Sequence, residues 1–495
     1  MEKLFVSTPI YYINGDPHLG HAYASIAADI IARFARLDGH EVHFSTGTDE
    51  HGIKVARSAE AAHMKVQAFS DMMSMKFRNM SSKINLSYDD FIRTTEKRHL
   101  VSCQAFWKLI QKDIYVDAYA GWYSARDEEY VQKSDVVDGK APSGAPVEWM
   151  EEESYFFRLS DYQDKLLDWY ENNPDFILPI SRRNEVISFV NGGLKDLSIS
   201  RSKFSWGIPI PDSHGHVMYV WIDALTNYIT SLGFPDNMER VSQMMQNAIH
   251  VVGKEILRFH AVYWPAFLMS AGIPLPKRIY AHGWWTCEGQ KMSKSLGNVV
   301  DPMEIVDRYG LDQMRYFLFR KVKFGEDGDF SEASLQKRIS FDLANDLGNL
   351  VQRILVFIQK IGGSVTVDYN FSDYESGLFE RARSLIDRIR PLIDKQDLYG
   401  ALNTVWELVA ESNKFINDAR PWELVKRDTD MLNRVLTVLC ESIRSIGFGL
   451  APFLPETSRK IFDFINVSGK SFKEMEINFK NQTFGESFPL FPKET

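Results

Sequence analysis

Cysteine is scarce in this sequence: 495 residues contain only Cys103, Cys287 and Cys440, all far apart. That spacing excludes a disulfide framework and a cysteine-based zinc knuckle, and makes a reducing compartment the expectation. Long apolar runs are missing too. The longest, around residues 262–273, is interrupted by Pro265 and falls below the roughly 18 residues a membrane span needs. Near the start, Leu4-Phe5-Val6 stops at Ser7 and Pro9, too soon for a signal peptide. Positive charge is not in excess either: 57 Lys and Arg stand against 66 Asp and Glu, a net charge of -9. Coating of nucleic acid through bulk charge is thereby disfavoured, although a local basic strip can still meet a structured RNA. Neither a GxxxxGK run followed by Ser or Thr nor a GxGxxG fingerprint occurs, so phosphate-loop NTPases and dinucleotide enzymes have little support. Internal repeats and low-complexity segments are also lacking.

What is present is the balance of a globular protein, 44% hydrophobic and 25% charged, with enough length for roughly three domains and sizeable cores. A cytoplasmic location is expected. Residues 4–8 read as a buried strand, an alanine-rich helical pattern follows from about Gly20 to Leu37 and stops at Gly39, and residues 41–45 read as a second strand. This β-α-β unit implies parallel strands and a right-handed crossover. Ligands gather at the carboxyl ends of such strands, where the His18 loop and the Thr48-Asp49-Glu50-His51-Gly52 loop both emerge. Glycine, proline and aromatic punctuation with short β runs marks residues 115–218 as an insertion; doubly wound features resume at 249–252 and 279–281. From about residue 341 apolar residues recur at helical spacing, as in Leu347, Leu350, Val351 and Ile354, which predicts a helical bundle. The expected divisions are 1–114 and 219–285 for the two halves of a Rossmann-like doubly wound α/β domain, 115–218 for an inserted α+β connective domain, 286–340 for a linking stem-contact region, and 341–495 for the bundle.

Two short segments carry the chemistry. In Pro17-His18-Leu19-Gly20-His21 the histidines stand three apart where strand gives way to helix, so both rings share one side of an anion-favouring helix N-terminus. Such a pair alone is equally a metal pair or two surface histidines, and a third metal ligand is not marked. In Lys291-Met292-Ser293-Lys294-Ser295 two lysines stand three apart after Glu288-Gly289-Gln290, a context read as a mobile loop. As point charges they can follow negative charge onto a departing pyrophosphate, whereas two lysines alone would be solvated surface groups.

Together these segments resemble the paired signatures of the class I aminoacyl-tRNA synthetases, and the residues between them resemble the methionyl-tRNA synthetases over essentially the whole chain. The resemblance implies methionine activation by ATP to methionyl-adenylate and pyrophosphate, then transfer to the 3′ end of tRNA(Met), with His18, His21, Lys291 and Lys294 as the catalytic set. It places Ile10, Tyr12, Asp49, Trp221, Ala224, Tyr228, Ile256 and His260 around methionine, with Asp49 on the substrate ammonium group. Aromatic rings and Ile256 suit a thioether, and a buried carboxylate suits an amine. Gly253, Glu255, His282 and Gly283 are assigned to ATP beside His18, His21 and Lys294, with Glu255 on the ribose hydroxyls. Asn349 and Arg353, four apart on one helical face, with Pro421 and Trp422, match the anticodon-reading residues, Trp422 offering a stacking surface.

The inserted segment departs from many relatives: Tyr123-Ser124-Ala125-Arg126-Asp127 and Gly139-Lys140-Ala141-Pro142-Ser143-Gly144 stand where zinc-binding cysteine pairs occur. The chain resembles the zinc-free branch, so no structural zinc is expected and Mg2+ should arrive bound to ATP. Initiator tRNA is a further expected partner, no membrane partner is expected, and a monomer is expected because no appended dimerisation domain is seen. Two alternatives remain at this stage. One is another class I synthetase with an apolar substrate, although roughly 100 residues of insertion is small for an editing domain. The other is a catalytically silent tRNA-binding paralogue.

Overall fold

The computed structural model describes the chain except for Met1, residues 125–128, Gln132, His214, and residues 293–296, 479–481, 486–489 and 492–495. Its centre is a seven-stranded sheet in which every pairing is parallel. Lys3–Ser7 lies in the middle, paired with Glu41–Asp49 on one side and Ala248–Gly253 on the other. Asp90–Arg93 extends one edge, while Arg278–His282 and then Ile177–Leu178 extend the other. Chain order therefore reverses direction at the central strand, which opens a crevice at the carboxyl ends. The second strand is longer than expected. It runs to Asp49 because Tyr11–Tyr12 joins its far end, Tyr12 opposite Asp49.

One expected boundary does not hold as a clean cut. Ile177–Leu178, inside the stretch read as the insertion, is a strand of the central sheet. Two residues of apolar sequence carry too little periodicity to betray a sheet edge, so only the tertiary pairing reveals it. The insertion's own sheet is antiparallel, built on the long pair Ile114–Ser124 and Glu148–Phe157. A three-stranded sheet follows the central one: Trp285–Cys287 pairs antiparallel with Gln290–Lys291 and parallel with Gly328–Phe330.

The last third is helical, as its periodicity implies. Leu350, Val351, Ile354, Leu355 and Ile358 form the buried stripe of Asn349–Lys360, and Leu398–Ala419 and Thr429–Leu450 are the long helices behind it. Polar ties fasten this bundle to the helix Leu19–Leu37 and its C-cap. Arg315 reaches Asp29 at 2.7 Å and the Phe453 carbonyl at 2.7 Å, and Arg390 forks onto both oxygens of Asp38 at 2.8 and 2.9 Å. Among the described residues, no helix is long and apolar enough to cross a membrane.

Candidate functional site

The helix Leu19–Leu37 begins at His18, whose extended backbone makes it the N-cap. Its ring Nδ1 accepts the Gly20 N–H at 3.1 Å, and the His21 Nδ1 accepts the His18 N–H at 3.1 Å. Two backbone donors that a helix start leaves over are thereby satisfied. The consequence is chemical as well as structural: with each Nδ1 accepting, a neutral ring must carry its proton on Nε2. The rings stack at 3.8 Å and 28°. Burial, with the neighbouring His18 charge second, holds the His21 pKa well below its ordinary value. A neutral imidazole with a fixed donor is thus set at a helix N-terminus. Tyr11, not singled out by sequence, braces it: its hydroxyl donates to the His21 carbonyl at 3.2 Å and its ring meets the His21 ring at 4.8 Å.

The lysine segment comes to the same helix. The Leu19 N–H donates to the Val300 carbonyl at 3.0 Å, and Trp285, on the strand paired with Gln290–Lys291, packs edge-on against Tyr23 at 5.5 Å. The sequence places Lys291 on a mobile loop, but it lies on a strand. Glu288 and Gly289 both take positive φ, 51° and 75°, the two-residue turn that matches strand twist, so Lys291 returns opposite Thr286. Lys294 lies outside the described residues.

The residues expected around the amino acid lie in two groups, one at the Asp49 strand end and one on the Val220–Ser231 helix and the segment after Gly253. Asp49, buried, ends its strand opposite Tyr12, and Ile10 is half-buried two residues earlier in the chain than Tyr12. Tyr228 is 1% exposed, and its hydroxyl lies 2.7 Å from the His260 Nε2. The His260 Nδ1 is 2.9 Å from the Ile256 carbonyl. A carbonyl can only accept, so Nδ1 holds the ring proton and the tyrosine donates to Nε2. Burial lowers the His260 pKa to about 4, which keeps that direction fixed near neutrality. Trp221 stacks flat on Phe259 at 3.7 Å, while Ala224 is buried one turn further along the Val220–Ser231 helix. Beneath, the His250 ring stacks on Tyr228 at 4.1 Å and its Nδ1 meets the Ser7 hydroxyl at 2.7 Å.

The expected nucleotide residues lie at the next strand ends. Gly253 closes Ala248–Gly253, and the Glu255 carboxylate folds back over it; a Cβ there would stand 2.4 Å from Oε1. Gly283 is packed so tightly that a Cβ would lie 2.3 Å from the Glu326 carbonyl oxygen, so no larger residue fits without moving backbone. Burial lowers the His282 pKa, with the nearby Glu255 charge opposing it.

A buried brace joins the Asp49 loop to the neighbouring helix and was not legible in the sequence. Asp223 receives His51 Nδ1 at 2.7 Å on one oxygen and His99 Nε2 at 2.8 Å on the other. Burial alone would raise the Asp223 pKa, but the two imidazoles bring it to about 2. Among the described residues, His99, Cys103 and Asp223 are the group whose donor atoms converge closely enough to hold a metal, within 4.8 Å. Nitrogen and sulfur donors of this kind suit zinc-like ions, not Mg2+. Trp206 closes the loop by donating its Nε1–H to the Glu50 carbonyl at 2.7 Å.

In the helical third, Asn349 is exposed at the start of Asn349–Lys360, and Arg353 one turn on donates to Asn417 Oδ1 at 2.8 Å. The guanidinium lies 5.5 Å from the Trp422 ring. Pro421 is buried at the first turn of a short helix and leaves Trp422 48% exposed. Arginine and tryptophan, 69 positions apart, thus form one surface; Asn417 is the member that sequence reasoning missed.

The chain is similar to known proteins over most of its length. The family model for class I tRNA synthetases (M) matches residues 4–146 and 141–355. The methionine-tRNA ligase of Brucella suis biovar 1 is 52% identical over 475 residues, covering 94% of this chain and 92% of that protein. That of Rickettsia conorii is 50% identical over 471 residues, covering 94% and 93%. Among solved structures, Mycobacterium tuberculosis methionyl-tRNA synthetase in complex with methionyl-adenylate aligns over 100% of both chains with a TM-score of 0.96 at 46% identity. Its free-state form gives a TM-score of 0.90 at 42% identity, covering 100% of this chain and 99% of that one.

Proposed function

The chain belongs to the methionine-specific class I tRNA synthetases, and from that membership we propose how its residues divide the work. It is a methionine-tRNA ligase. The methionine carboxylate attacks the α-phosphorus of ATP and pyrophosphate leaves; the terminal ribose of tRNA then takes the methionyl group and AMP departs. Positioning and charge stabilisation carry both steps more than acid-base exchange. The carrying observation is the stacked His18–His21 pair, whose Nδ1 atoms are occupied by backbone N–H groups. In our assignment both Nε2–H groups donate to the phosphoryl oxygens as charge grows there.

Lys291 and Lys294 take the charge of the leaving pyrophosphate. Asp49 holds the substrate ammonium group, and Tyr228, His260, Trp221, Tyr12, Ile10, Ala224 and Ile256 surround the methionine side chain. Glu255 accepts from the ribose hydroxyls, with Gly253, His282 and Gly283 shaping the nucleotide floor. Magnesium comes as part of the ATP substrate, bound to its phosphates; the three converging buried donors described above include a thiol and an imidazole and are the wrong chemistry for it. Asn349, Arg353, Pro421 and Trp422 read the anticodon of tRNA(Met) and of initiator tRNA. We assign 1–114 and 219–285 to catalysis, with Ile177–Leu178 added to their sheet. Residues 115–218 otherwise form the connective insertion, 286–340 the stem-contact region and 341–495 the anticodon domain. A zinc-free cytoplasmic monomer completes the proposal.

Amino-acid-dependent ATP–pyrophosphate exchange without tRNA tests it, across methionine, leucine, isoleucine, valine, cysteine and homocysteine. Exchange dominated by methionine is expected. Preference for another amino acid would overturn the pocket assignment, and no exchange with any would overturn the catalytic one.

A further inference from the structure

Trp284 follows the tightly packed Gly283 and, though 41% exposed, is engaged by polar groups on several sides. Its indole Nε1–H donates to Glu255 Oε2 at 2.6 Å. Its backbone N–H donates to Asp327 Oδ1 at 2.7 Å, and the Lys254 ammonium reaches both Asp327 oxygens at 2.7 Å. The same ammonium lies 4.1 Å from the indole centroid, and the Lys291 ammonium lies 5.0 Å from it. One ring therefore touches the carboxylate assigned to ribose and the lysine assigned to pyrophosphate, two groups 36 positions apart.

The indole bond uses one Glu255 oxygen. A carboxylate has about four lone-pair sites, so Oε1 keeps its capacity for ribose hydroxyls while the side chain is held over Gly253 in one orientation. A long, exposed glutamate would otherwise lose rotamer freedom when ATP binds. The ring face does the same for Lys291: ammonium over indole is attractive, and it seats the lysine beside the nucleotide end of the crevice before substrate arrives.

We infer that Trp284 is a positioning residue for ATP, ordering Glu255 through its N–H and Lys291 through its ring face. The inference rests on the functional reading above. Removing the N–H while keeping a ring should separate the two roles, so the kinetic constants for ATP divide between variants.

The test is methionine-dependent pyrophosphate exchange with the full chain. Trp284→Phe is expected to raise the KM for ATP about ten-fold, with kcat within two-fold and the KM for methionine unchanged. Trp284→Leu, which also removes the ring, is expected to lower kcat about ten-fold in addition. In a Glu255→Gln background, Trp284→Phe should add little, because the charged partner it orders is gone. Equal rises in both KM values, or multiplicative effects of Trp284→Phe and Glu255→Gln, would overturn the inference. So would a Trp284→Phe enzyme indistinguishable from the unmodified chain. Failure of the unmodified chain to exchange with methionine would instead overturn the functional reading itself, and the two failures are distinct.

Discussion

Arg315→Met removes the buried charge that ties the helix Leu19–Leu37 to the bundle. Arg315 is fully buried, and its guanidinium donates to Asp29 at 2.7 Å and to the carbonyls of Phe453, Pro452 and Ile84 at 2.7, 3.0 and 3.3 Å. Asp29 also takes the Ser87 N–H at 2.8 Å, the Ser87 hydroxyl at 2.6 Å and Arg33 at 2.7 Å. Burial pushes the Asp29 carboxyl up, yet the Arg315 and Arg33 charges and the Ser87 bonds bring its net shift below the usual range. Breaking one side of a buried pair costs about 3–5 kcal/mol. Asp29 would keep Arg33 and Ser87, which softens that loss, but three buried carbonyls would lose their donor at about 1 kcal/mol each. The three carbonyls at about 1 kcal/mol each and about 1 kcal/mol remaining of the softened ion-pair loss give an expected destabilisation of about 4 kcal/mol. The molecule has several parts, so a single unfolding midpoint is a poor gauge, and amide hydrogen exchange resolved by peptide is the better assay. Amides of Leu19–Leu37, Leu311–Lys321 and the 450–458 turn should exchange about a thousand-fold faster. The antiparallel pair Ile114–Ser124 and Glu148–Phe157 should be unaffected. Adding Asp29→Asn should cost less than the sum of the two single changes, because each removes the same ion pair. Acceleration under ten-fold, or an equal rise in the inserted sheet, would refute the view that this node couples the two parts.

Other outcomes follow from single groups. Tyr228→Phe leaves a buried imidazole nitrogen without its donor, a loss of about 1–3 kcal/mol; the KM for methionine should rise at least about ten-fold while that for ATP holds. The His260 pKa is depressed to about 4 by burial, so the neutral form is favoured by the fold. Its contribution to stability is complete above the ordinary histidine pKa near 6.5 and is lost as pH falls from there through 4. The KM for methionine should accordingly stay flat from pH 8 to about 5.5, and an inflection near 6.5 that vanishes in His260→Asn would contradict it. Lys294→Ala should slow adenylate formation far more than it weakens methionine binding, and equal losses in exchange kinetics and equilibrium dialysis would count against the pyrophosphate role. Trp422→Ala should impair tRNA charging about ten-fold or more, the scale of one base stacking contact of roughly 1–3 kcal/mol. It should leave tRNA-independent exchange intact; a large loss of exchange would refute the anticodon placement.

Much of the site was legible because it is local. The His18–His21 spacing specifies a helix start with two rings on one side, and the structure adds that the pair caps its own helix. The alanine-rich run to Leu37 and the apolar stripe beginning at Leu350 announce helices through period alone. Glu288-Gly289-Gln290 reads as a mobile loop; that Gln290–Lys291 becomes a strand depends on pairing with Trp285–Cys287, which no local propensity dictates.

The sequence alone settles the chemistry available: the histidine and lysine pairs, an aspartate on the loop after the second strand, aromatic residues for an apolar substrate, and the order of sheet, insertion and bundle. Tertiary structure alone decided which of these groups meet and in what protonation state. His260 is a hydrogen-bond acceptor toward Tyr228 because burial depresses its pKa and the Ile256 carbonyl claims its other nitrogen. Asp223 is held ionised between two histidines that lie 124 and 172 positions away in the chain. Trp284 looks like one more aromatic residue until folding sets its N–H on Glu255 and its ring beneath two lysines. Desolvation and long-range hydrogen bonding are properties of the packed chain, so they appear only when the parts distant in sequence are brought into contact.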